Sequence, residues 1–357
     1  MHNRPLTITA RRRVEPVLGW LTVLLVAVVG LAIVKWMPYY QKALLAAAHH
    51  SIGPSILMGQ ADRPPTPSIQ AALDYAGAYG KAIWKAMVLG LLLGSAVQTL
   101  LPRRWIISAL GGSGLGCVVL GGVLSLPGMM CTCCAAPVVA GLRASRAAPG
   151  SAVAFWLGNT VLNPATLIFT TFVLGWHWSV LRLAFGLVMV FGLGWLVNRL
   201  VAPEAHVYAG ETSAVPLSEQ DAEVSFARWF KTLGQMSVRL IPEYVVLLLV
   251  LGATRAWLFP HVGPDIDNSA LWVLALAVAG AIFVIPTAGE VPIVQAMLAL
   301  GVGVGPAAAL LMTLPPVSAP SVAMLWRSLG PRTLGIVSVG VVVLGCLAGA
   351  VATALFS

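Results

Sequence analysis

A proline-bounded stretch from Pro127 to Pro164 limits how this chain can fold. Inside this stretch, four consecutive positions contain three of the five cysteines of the chain, namely Cys131, Cys133 and Cys134. The surrounding residues are almost all apolar. A proline inside a helix removes a backbone donor and clashes with the preceding turn. In a bilayer such a break is tolerated only where protein or a water-filled cavity satisfies the freed backbone groups. The stretch therefore predicts a re-entrant or broken helix that presents sulfur at membrane depth.

The composition indicates a polytopic membrane protein. Hydrophobic residues make up 59% of the 357 residues, charged residues only 9%, and the mean hydropathy is +0.90, whereas about a quarter of a soluble domain is charged. The net charge of +9 comes from basic residues scattered at the ends of apolar runs, the distribution that sets membrane topology. We therefore expect a lipid bilayer and no nucleic acid as partner. The first apolar run is long enough to span, so no cleavable signal peptide is expected.

Hydropathy predicts an all-α fold with about nine transmembrane helices and two re-entrant or broken hairpins. The spans are expected near residues 17–37, 80–101, 105–127, 151–175, 178–200, 240–259, 270–286, 306–326 and 332–356. The chain then divides into an N-terminal arm with the first span (1–37), a polar or interfacial segment (38–78), a first repeat with the cysteine-rich break (79–200), a cytoplasmic linker (201–239) and a second, inverted repeat (240–357).

The second half of the chain repeats the first half weakly. Residues 131–167 and 286–324 both open on a proline-flanked polar segment, continue through a short apolar helix and a Gly/Pro turn, and reach a second proline-broken segment. The offset is 155 residues between Pro137 and Pro292 and 156 residues at the last proline. Paired interruptions in two halves are the best sequence indication of a transporter binding site.

The distribution of basic residues predicts that the two repeats are inverted. With the N-terminus inside, fourteen of the 21 basic residues fall in the cytoplasm and seven outside, which satisfies the positive-inside bias. Span 151–175 then runs outward and its counterpart 306–326 runs inward. We expect a bacterial inner-membrane protein with a cytoplasmic N-terminus. The residues assigned to the outside are Lys35, Lys42, Arg63, Lys81, Lys85, Arg182 and Arg255.

The cysteine cluster is the strongest candidate site. Thiolates are soft ligands that favour Cu(I), zinc or trivalent arsenic, and closely spaced thiols supply two or three bonds to one such centre. Cys131, Cys133 and Cys134 are the predicted substrate ligands, and the metal ligands if the cargo is a metal. Cysteine also occurs in cores as a small buried hydrophobe, and this is the interpretation for Cys117 and Cys346.

Glu290 lies in the matching broken segment of the second half. An ionisable group at membrane depth is a functional candidate because its charge is costly there. We expect a proton-coupling group or an oxygen ligand, the alternative being a carboxylate that only caps the next helix. Small polar residues of the broken segments either bind the ligand or pack between helices. Those predicted for the substrate site are Asn159, Asn163, Thr287 and Ser318.

These features favour a secondary transporter and no enzyme. The chain has no GxxxxGK[ST] loop, so ATP hydrolysis is not expected, and no cofactor is predicted. The partners would be a small thiophilic substrate or metal ion and, as a candidate coupling ion, the proton; a homo-oligomer stays open. A Cu or Zn exporter and a carrier of a sulfur-containing anion are alternatives. A different class is a membrane thiol oxidoreductase that cycles Cys133–Cys134 or Cys131–Cys134 through a disulfide.

At residues 131–167 the sequence resembles the predicted-permease family that includes the trivalent organoarsenical efflux permeases. The resemblance extends over most of the chain, and it implies an inner-membrane permease with a two-fold pseudo-symmetric core. For some members it implies efflux of arsenicals or of copper and zinc, so export is expected from the resemblance alone. The second repeat lacks the cysteine found in some relatives, which argues against a metal site built from cysteines of both halves. The matching residues are Cys131, Cys133, Pro137, Leu142-Arg143 and Asn163-Pro164.

Overall fold

The computed structural model describes residues 6–53, 68–201, 226–258 and 263–356. Every regular element in these ranges is a helix, which confirms the all-α prediction for them. Residues 54–67 of the predicted polar segment, which include Arg63, lie outside the described part, as do most of the linker (202–225) and the side chains of Arg11, Arg12, Arg13 and Arg255.

The helices follow one another with short connections. In order they are α1 (Leu6–Leu31), a π-helical segment (Ala32–Trp36), α2 (Met37–His49), α3 (Ile69–Thr99), α4 (Arg103–Leu110), α5 (Leu115–Ser125), a 3-10 turn (Leu126–Gly128), α6 (Thr132–Ala144), α7 (Pro149–Val161) and α8 (Pro164–Val173). They continue with α9 (Trp176–Leu187), a second π-helical segment (Val188–Gly192), α10 (Leu193–Leu200), α11 (Phe226–Leu258), α12 (Ala270–Ile282), α13 (Glu290–Ala299), α14 (Val304–Thr313) and α15 (Ala319–Phe356).

Six helical stretches of the described residues are long and apolar enough to cross a membrane, or seven if a bent pair is counted as one span. Six of the nine predicted spans correspond to these stretches. The six stretches are Val17–His49, Ile69–Thr99, Pro149–Val173, Trp176–Leu200, Phe226–Thr254 and Ala319–Phe356.

Three predicted spans are wrong as full, straight helices. Residues 105–127 are bent by 115° between α4 and α5, where glycines at 111, 112 and 114 weaken helical continuity. Residues 270–286 yield only the 13-residue helix α12, and residues 306–326 are interrupted between α14 and α15 at Pro315-Pro316. Prolines end these helices because they lack the donor that the next turn needs.

The short helix α6 lies in the interior and packs against α3, α7 and α15. Its side chains are buried continuously from Thr132 to Val139. Two glycines one helical turn apart on α3 permit this burial, because a Cβ at Gly90 would overlap the carbonyl of Cys134 and one at Gly94 the carbonyl of Pro137. Close backbone approach at small residues is the usual way in which helices pack in membranes.

The turns that end α6 and α13 are built alike. The backbone has a positive φ in each turn, 69° at Arg146 and 84° at Gly301. In both turns the next residue donates its N–H to the carbonyl five residues earlier. Corresponding positions are 155 residues apart, the same offset as between Pro137 and Pro292.

Candidate functional site

The three clustered thiols converge at the beginning of α6. The Sγ of Cys131 lies 3.2 Å from the Sγ of Cys133 and 2.9 Å from that of Cys134. All three side chains are buried, and none forms a disulfide. Cys131 has extended backbone and immediately precedes the first turn, which contains the other two. The helix start brings the thiols together, and its free N–H groups favour negative charge there.

The arrangement suits one shared soft centre. The three sulfur atoms lie within 4.8 Å of one another. Thiolates that bind zinc at about 2.3 Å in a trigonal set are separated by about 4 Å. Small rotations of the side chains would therefore bring Cys131, Cys133 and Cys134 to binding distance of a common atom.

Two buried tyrosines hold the thiol of Cys133. The hydroxyl of Tyr79 on α3 lies 3.7 Å from its Sγ, and the hydroxyl of Tyr244 on α11 lies 3.5 Å from it. Tyr79 also donates a hydrogen bond of 2.8 Å to the carbonyl of Ile285, in the non-helical segment before α13. This tyrosine therefore connects the cysteine-bearing segment with the broken segment of the second half.

A small buried cavity lies between the two broken segments. Cys131 and Thr160 line it from the first half, and Thr287 and Glu290 line it from the second. The space open to the centre of a water-sized sphere is about 10 Å³, roughly enough for one water molecule. Three predicted site residues, Cys131, Thr287 and Glu290, thus meet at one cavity.

Glu290, which lines this cavity, forms a buried ion pair. Its Oε1 lies 2.8 Å from Nη1 of Arg182 on α9, and both side chains are almost fully buried. The same guanidinium donates to the carbonyls of Val161 and Thr160 at 3.1 and 2.9 Å, at the end of α7. Arg182 therefore contacts both freed backbone carbonyls of the first break and the carboxylate of the second. In addition, the negative charge of Glu290 stabilises α13, because this residue is the first of the helix.

A second cation, Lys35, lies at the same place. It belongs to the π-helical segment after α1 and is 5% exposed. Its Nζ donates to the hydroxyls of Tyr39 and Thr287 at 3.1 and 3.2 Å. The ammonium is near enough to Cys131 and Cys134 to interact electrostatically with both. π-helical segments are rare in proteins, and those that occur often lie at functional sites.

Lys35 and Arg182 correct the sequence analysis, which assigned both to the outer surface as topology-determining charges. Both are buried in the interior. Each stands alone within a long apolar run, and this signal indicates an intramembrane ionisable residue with a partner inside the protein.

The remaining predicted residues support the broken helices. The Oδ1 of Asn163 accepts hydrogen bonds from the N–H groups of Ala165 and Thr166, and so caps α8. Ser318, 155 residues later, lies just before α15, where its N–H donates to the hydroxyl of Ser321. Neither residue lines the cavity described above.

Two further hydrogen bonds involve polar residues of the breaks, and the first of them joins the two halves. The hydroxyl of Ser318 lies 3.2 Å from that of Thr132, which follows Cys131 in the chain. The amide nitrogen of Asn159 donates to the carbonyl of Phe155 at 3.0 Å, while its oxygen has no hydrogen-bond partner among the described residues. The second break is thereby joined to the start of the cysteine helix.

Comparison with known proteins gives one family. A family model described as "Predicted permease" matches residues 16–157 and 69–354. The UPF0718 protein YraQ of Escherichia coli K12 is 50% identical over 339 residues, which cover 94% of this chain and 96% of that protein. The UPF0718 protein MJ0584 of Methanocaldococcus jannaschii is 21% identical over 328 residues, covering 72% of this chain and 88% of that protein. No solved structure matches.

Proposed function

Because the chain belongs to the predicted-permease family, as the resemblance in the cysteine-rich stretch indicated, we propose that it is a secondary transporter for a small thiophilic species. A trivalent arsenical is the favoured substrate class. One observation carries the proposal: a buried cavity is lined by Cys131 from one half and by Glu290 and Thr287 from the other, with two more thiols within 4.8 Å.

The thiols supply the binding chemistry. In the proposed step, two thiols displace two hydroxyl groups of a trivalent arsenical, forming two As–S bonds and releasing two water molecules. The soft thiolate and the soft arsenic centre favour this exchange. The third sulfur of Cys131, Cys133 and Cys134 stays within reach for thiol exchange, so the substrate remains kinetically mobile and can leave on the other side.

Alternating access follows from two inverted repeats around this site. The proposal is supported by the matched turns after α6 and α13 and by their constant offset of 155 residues. At the helix ends, the ring of His50 contacts the carbonyl of Phe172 and the His50 carbonyl accepts from Gln295, while Arg143 donates to the carbonyl of Ser328. The inner-membrane location and the cytoplasmic N-terminus are proposed from the distribution of basic residues. Export follows from the family resemblance.

Glu290 is the proposed coupling group. A proton that binds its carboxylate would cancel the charge opposite Arg182 and weaken the ion pair of 2.8 Å. This pair connects the two broken segments, so its opening would loosen them together and let the small cavity enlarge to admit substrate. Thr287 belongs to the same proposed site, and Asn159, Asn163 and Ser318 would hold the backbone of the breaks during the movement.

A Cu or Zn exporter uses the same thiols, and the transport experiment below distinguishes the cargoes. One observation also favours a thiol oxidoreductase as the second candidate, namely the 2.9 Å between the sulfur atoms of Cys131 and Cys134. Their oxidation to a disulfide would release two protons and two electrons to a quinone or to a partner disulfide. That reaction gives no reason for the matched breaks of the second half.

Uptake by everted membrane vesicles tests the proposed function. The substrates are methylated trivalent arsenic, arsenite, Cu(I), zinc and thiosulfate, each with and without a proton gradient. We expect gradient-dependent accumulation of one soft species, lost in Cys133→Ser and Glu290→Gln and retained in Cys346→Ser. Accumulation that is equal in Cys133→Ser and in the unsubstituted protein would contradict a thiol site, and absence of transport with a mass loss of two hydrogens on turnover would favour the oxidoreductase.

A further inference from the structure

We infer that the site binds its thiophilic substrate as an anion, at a subsite formed by Lys35, Thr287 and Thr166 beside the thiol of Cys131. This inference rests on the proposed transport function and narrows its substrate class. A soft anion such as a sulfur oxyanion, or a trivalent arsenical bound as an anionic thiolate complex, fits this subsite better than a free metal cation.

The first argument is the charge of Lys35. Its side chain is 5% exposed, and its ammonium donates to two hydroxyls, those of Tyr39 and Thr287. No carboxylate among the described side chains lies within the 4.0 Å of an ion pair with it. A buried charge without a partner of opposite charge is strongly destabilising. A negative counter-charge must therefore come from a thiolate or from the ligand.

The second argument is the balance of charge around the cavity. The carboxylate of Glu290 is already paired with the guanidinium of Arg182 at 2.8 Å. Those two charges compensate each other, so Lys35 leaves one positive charge in the site when the thiols are protonated. A bound cation would add to this charge, whereas an anion would neutralise it.

The third argument is the set of hydroxyl donors. Thr166 lines the cavity, is fully buried, and its Oγ1 has no hydrogen-bond partner among the described residues. Thr287 also lines the cavity and accepts from Lys35, which leaves its own O–H free to donate to a ligand. The hydroxyl of Thr160 is different, because it already donates to the carbonyl of Leu157 at 3.0 Å.

These groups together recognise one kind of ligand. Two O–H donors and an ammonium behind one of them form charge-assisted hydrogen bonds with an anion. Cys131 lines the same cavity, so a ligand that fills it meets a soft sulfur as well as the donors. Both conditions are met by an anion that contains thiophilic sulfur. The competing explanation is that a thiolate of Cys131 neutralises Lys35 permanently, and the site then takes a neutral electrophile.

Ligand binding by the purified full-length protein distinguishes the two explanations. Isothermal titration in detergent micelles uses thiosulfate as the soft anion, sulfate as the hard anion and methylated trivalent arsenic as the neutral thiophile. The variants are Lys35→Met, Lys35→Arg and Thr166→Val, with Lys85→Met as the control because Lys85 is exposed on α3. Thr166→Val removes an unpartnered hydroxyl, so it is expected to fold.

We expect thiosulfate to bind and sulfate to bind more weakly. Lys35→Met should weaken thiosulfate binding by about tenfold or more, as for a charge-assisted hydrogen bond, with partial recovery in Lys35→Arg and no change in Lys85→Met. Thr166→Val should weaken it by about threefold to tenfold, and this variant decides the matter if Lys35→Met does not fold. Arsenical binding should change little in any of them.

Three results would overturn the inference. In the first, the arsenical binds and thiosulfate does not. The proposed thiol transporter would then stand, and a thiolate would be the partner that neutralises Lys35. In the second, thiosulfate binds equally well to Lys35→Met and to the unsubstituted protein. In the third, thiosulfate binds equally well to Thr166→Val and to the unsubstituted protein. Absence of binding by every probe would instead count against the proposed function itself.

Discussion

The guanidinium of Arg182 lies 2.8 Å from the carboxylate of Glu290, with both side chains almost completely buried. These residues belong to different halves of the chain: Arg182 lies within α9, and Glu290 is the first residue of α13. A buried ion pair is a weak contributor to stability by itself, but loss of one partner leaves an uncompensated charge. The effects of substituting Arg182 and Glu290 are therefore expected to depend on each other. A double variant can separate their role in transport from their role in folding.

The coupling predicts a non-additive result in stability. Arg182→Met should lower the free energy of unfolding by about 3–5 kcal/mol, because Glu290 is left buried and unpaired. The double variant Arg182→Met/Glu290→Leu should recover most of this loss while remaining inactive in transport. Thermal unfolding of the purified variants in one detergent measures the first effect and vesicle uptake the second.

The control is Arg332→Met, which is exposed on α15 and away from the cavity lining. Equal destabilisation by the single and double variants would contradict a coupled pair. Full transport by the double variant would show that the pair only holds the fold.

The glycines of α3 predict opposite effects within one helix. Gly90→Ala places a Cβ against the carbonyl of Cys134, and such overpacking costs about 1–3 kcal/mol. Gly77→Ala has open space around the new methyl group and should stabilise the helix by about 0.5–1 kcal/mol. Unfolding midpoints of the two variants give the comparison. A neutral Gly90→Ala would mean that α6 does not pack as closely against α3 as described.

The proposed inverted repeat predicts that equivalent positions face opposite sides of the membrane. Ala144 and Ala299 are exposed, lie 155 residues apart, and are the last residues of α6 and α13. In a background with Cys117→Ser and Cys346→Ser, a cysteine at 144 should react with an impermeant maleimide only in everted vesicles. A cysteine at 299 should react only in right-side-out cells.

Labelling of both positions from one side would refute the inversion. The orientation alone would be reversed if each position reacted from the side opposite to the expected one. The buried thiols of the cluster serve as an internal background in both preparations, since they are the same in the two variants.

Local sequence signals predicted the breaks that form the site. The prolines and glycines around Cys131 and Glu290 interrupt helices through the backbone itself, so their effect can be read without tertiary structure. Six of the nine predicted spans correspond to long apolar helices, because hydropathy is also a local property of the sequence. The three errors lie where glycine or proline breaks shorten or bend a segment whose average hydropathy is still high.

The surroundings of the thiols could not be predicted in the same way. Tyr79 and Tyr244 are 54 and 111 residues from Cys133 in the chain, and only packing brings their hydroxyls to its sulfur. Lys35 and Arg182 were assigned to the outer surface because a count of charges treats every basic residue as a topology signal. Their isolation within apolar runs was the better indicator, since a lone charge there requires an internal partner.

The most direct test of the thiol site is the arsenic content of the purified protein. The protein is incubated with phenylarsine oxide, separated from free reagent by gel filtration, and analysed for arsenic per chain. We expect about one bound arsenic, retained in Cys117→Ser/Cys346→Ser and lost in Cys131→Ser/Cys133→Ser/Cys134→Ser, because a stable complex needs at least two neighbouring thiols on one soft centre. Equal arsenic in the variant without the cluster, or none in the variant that keeps only the cluster, would contradict the account.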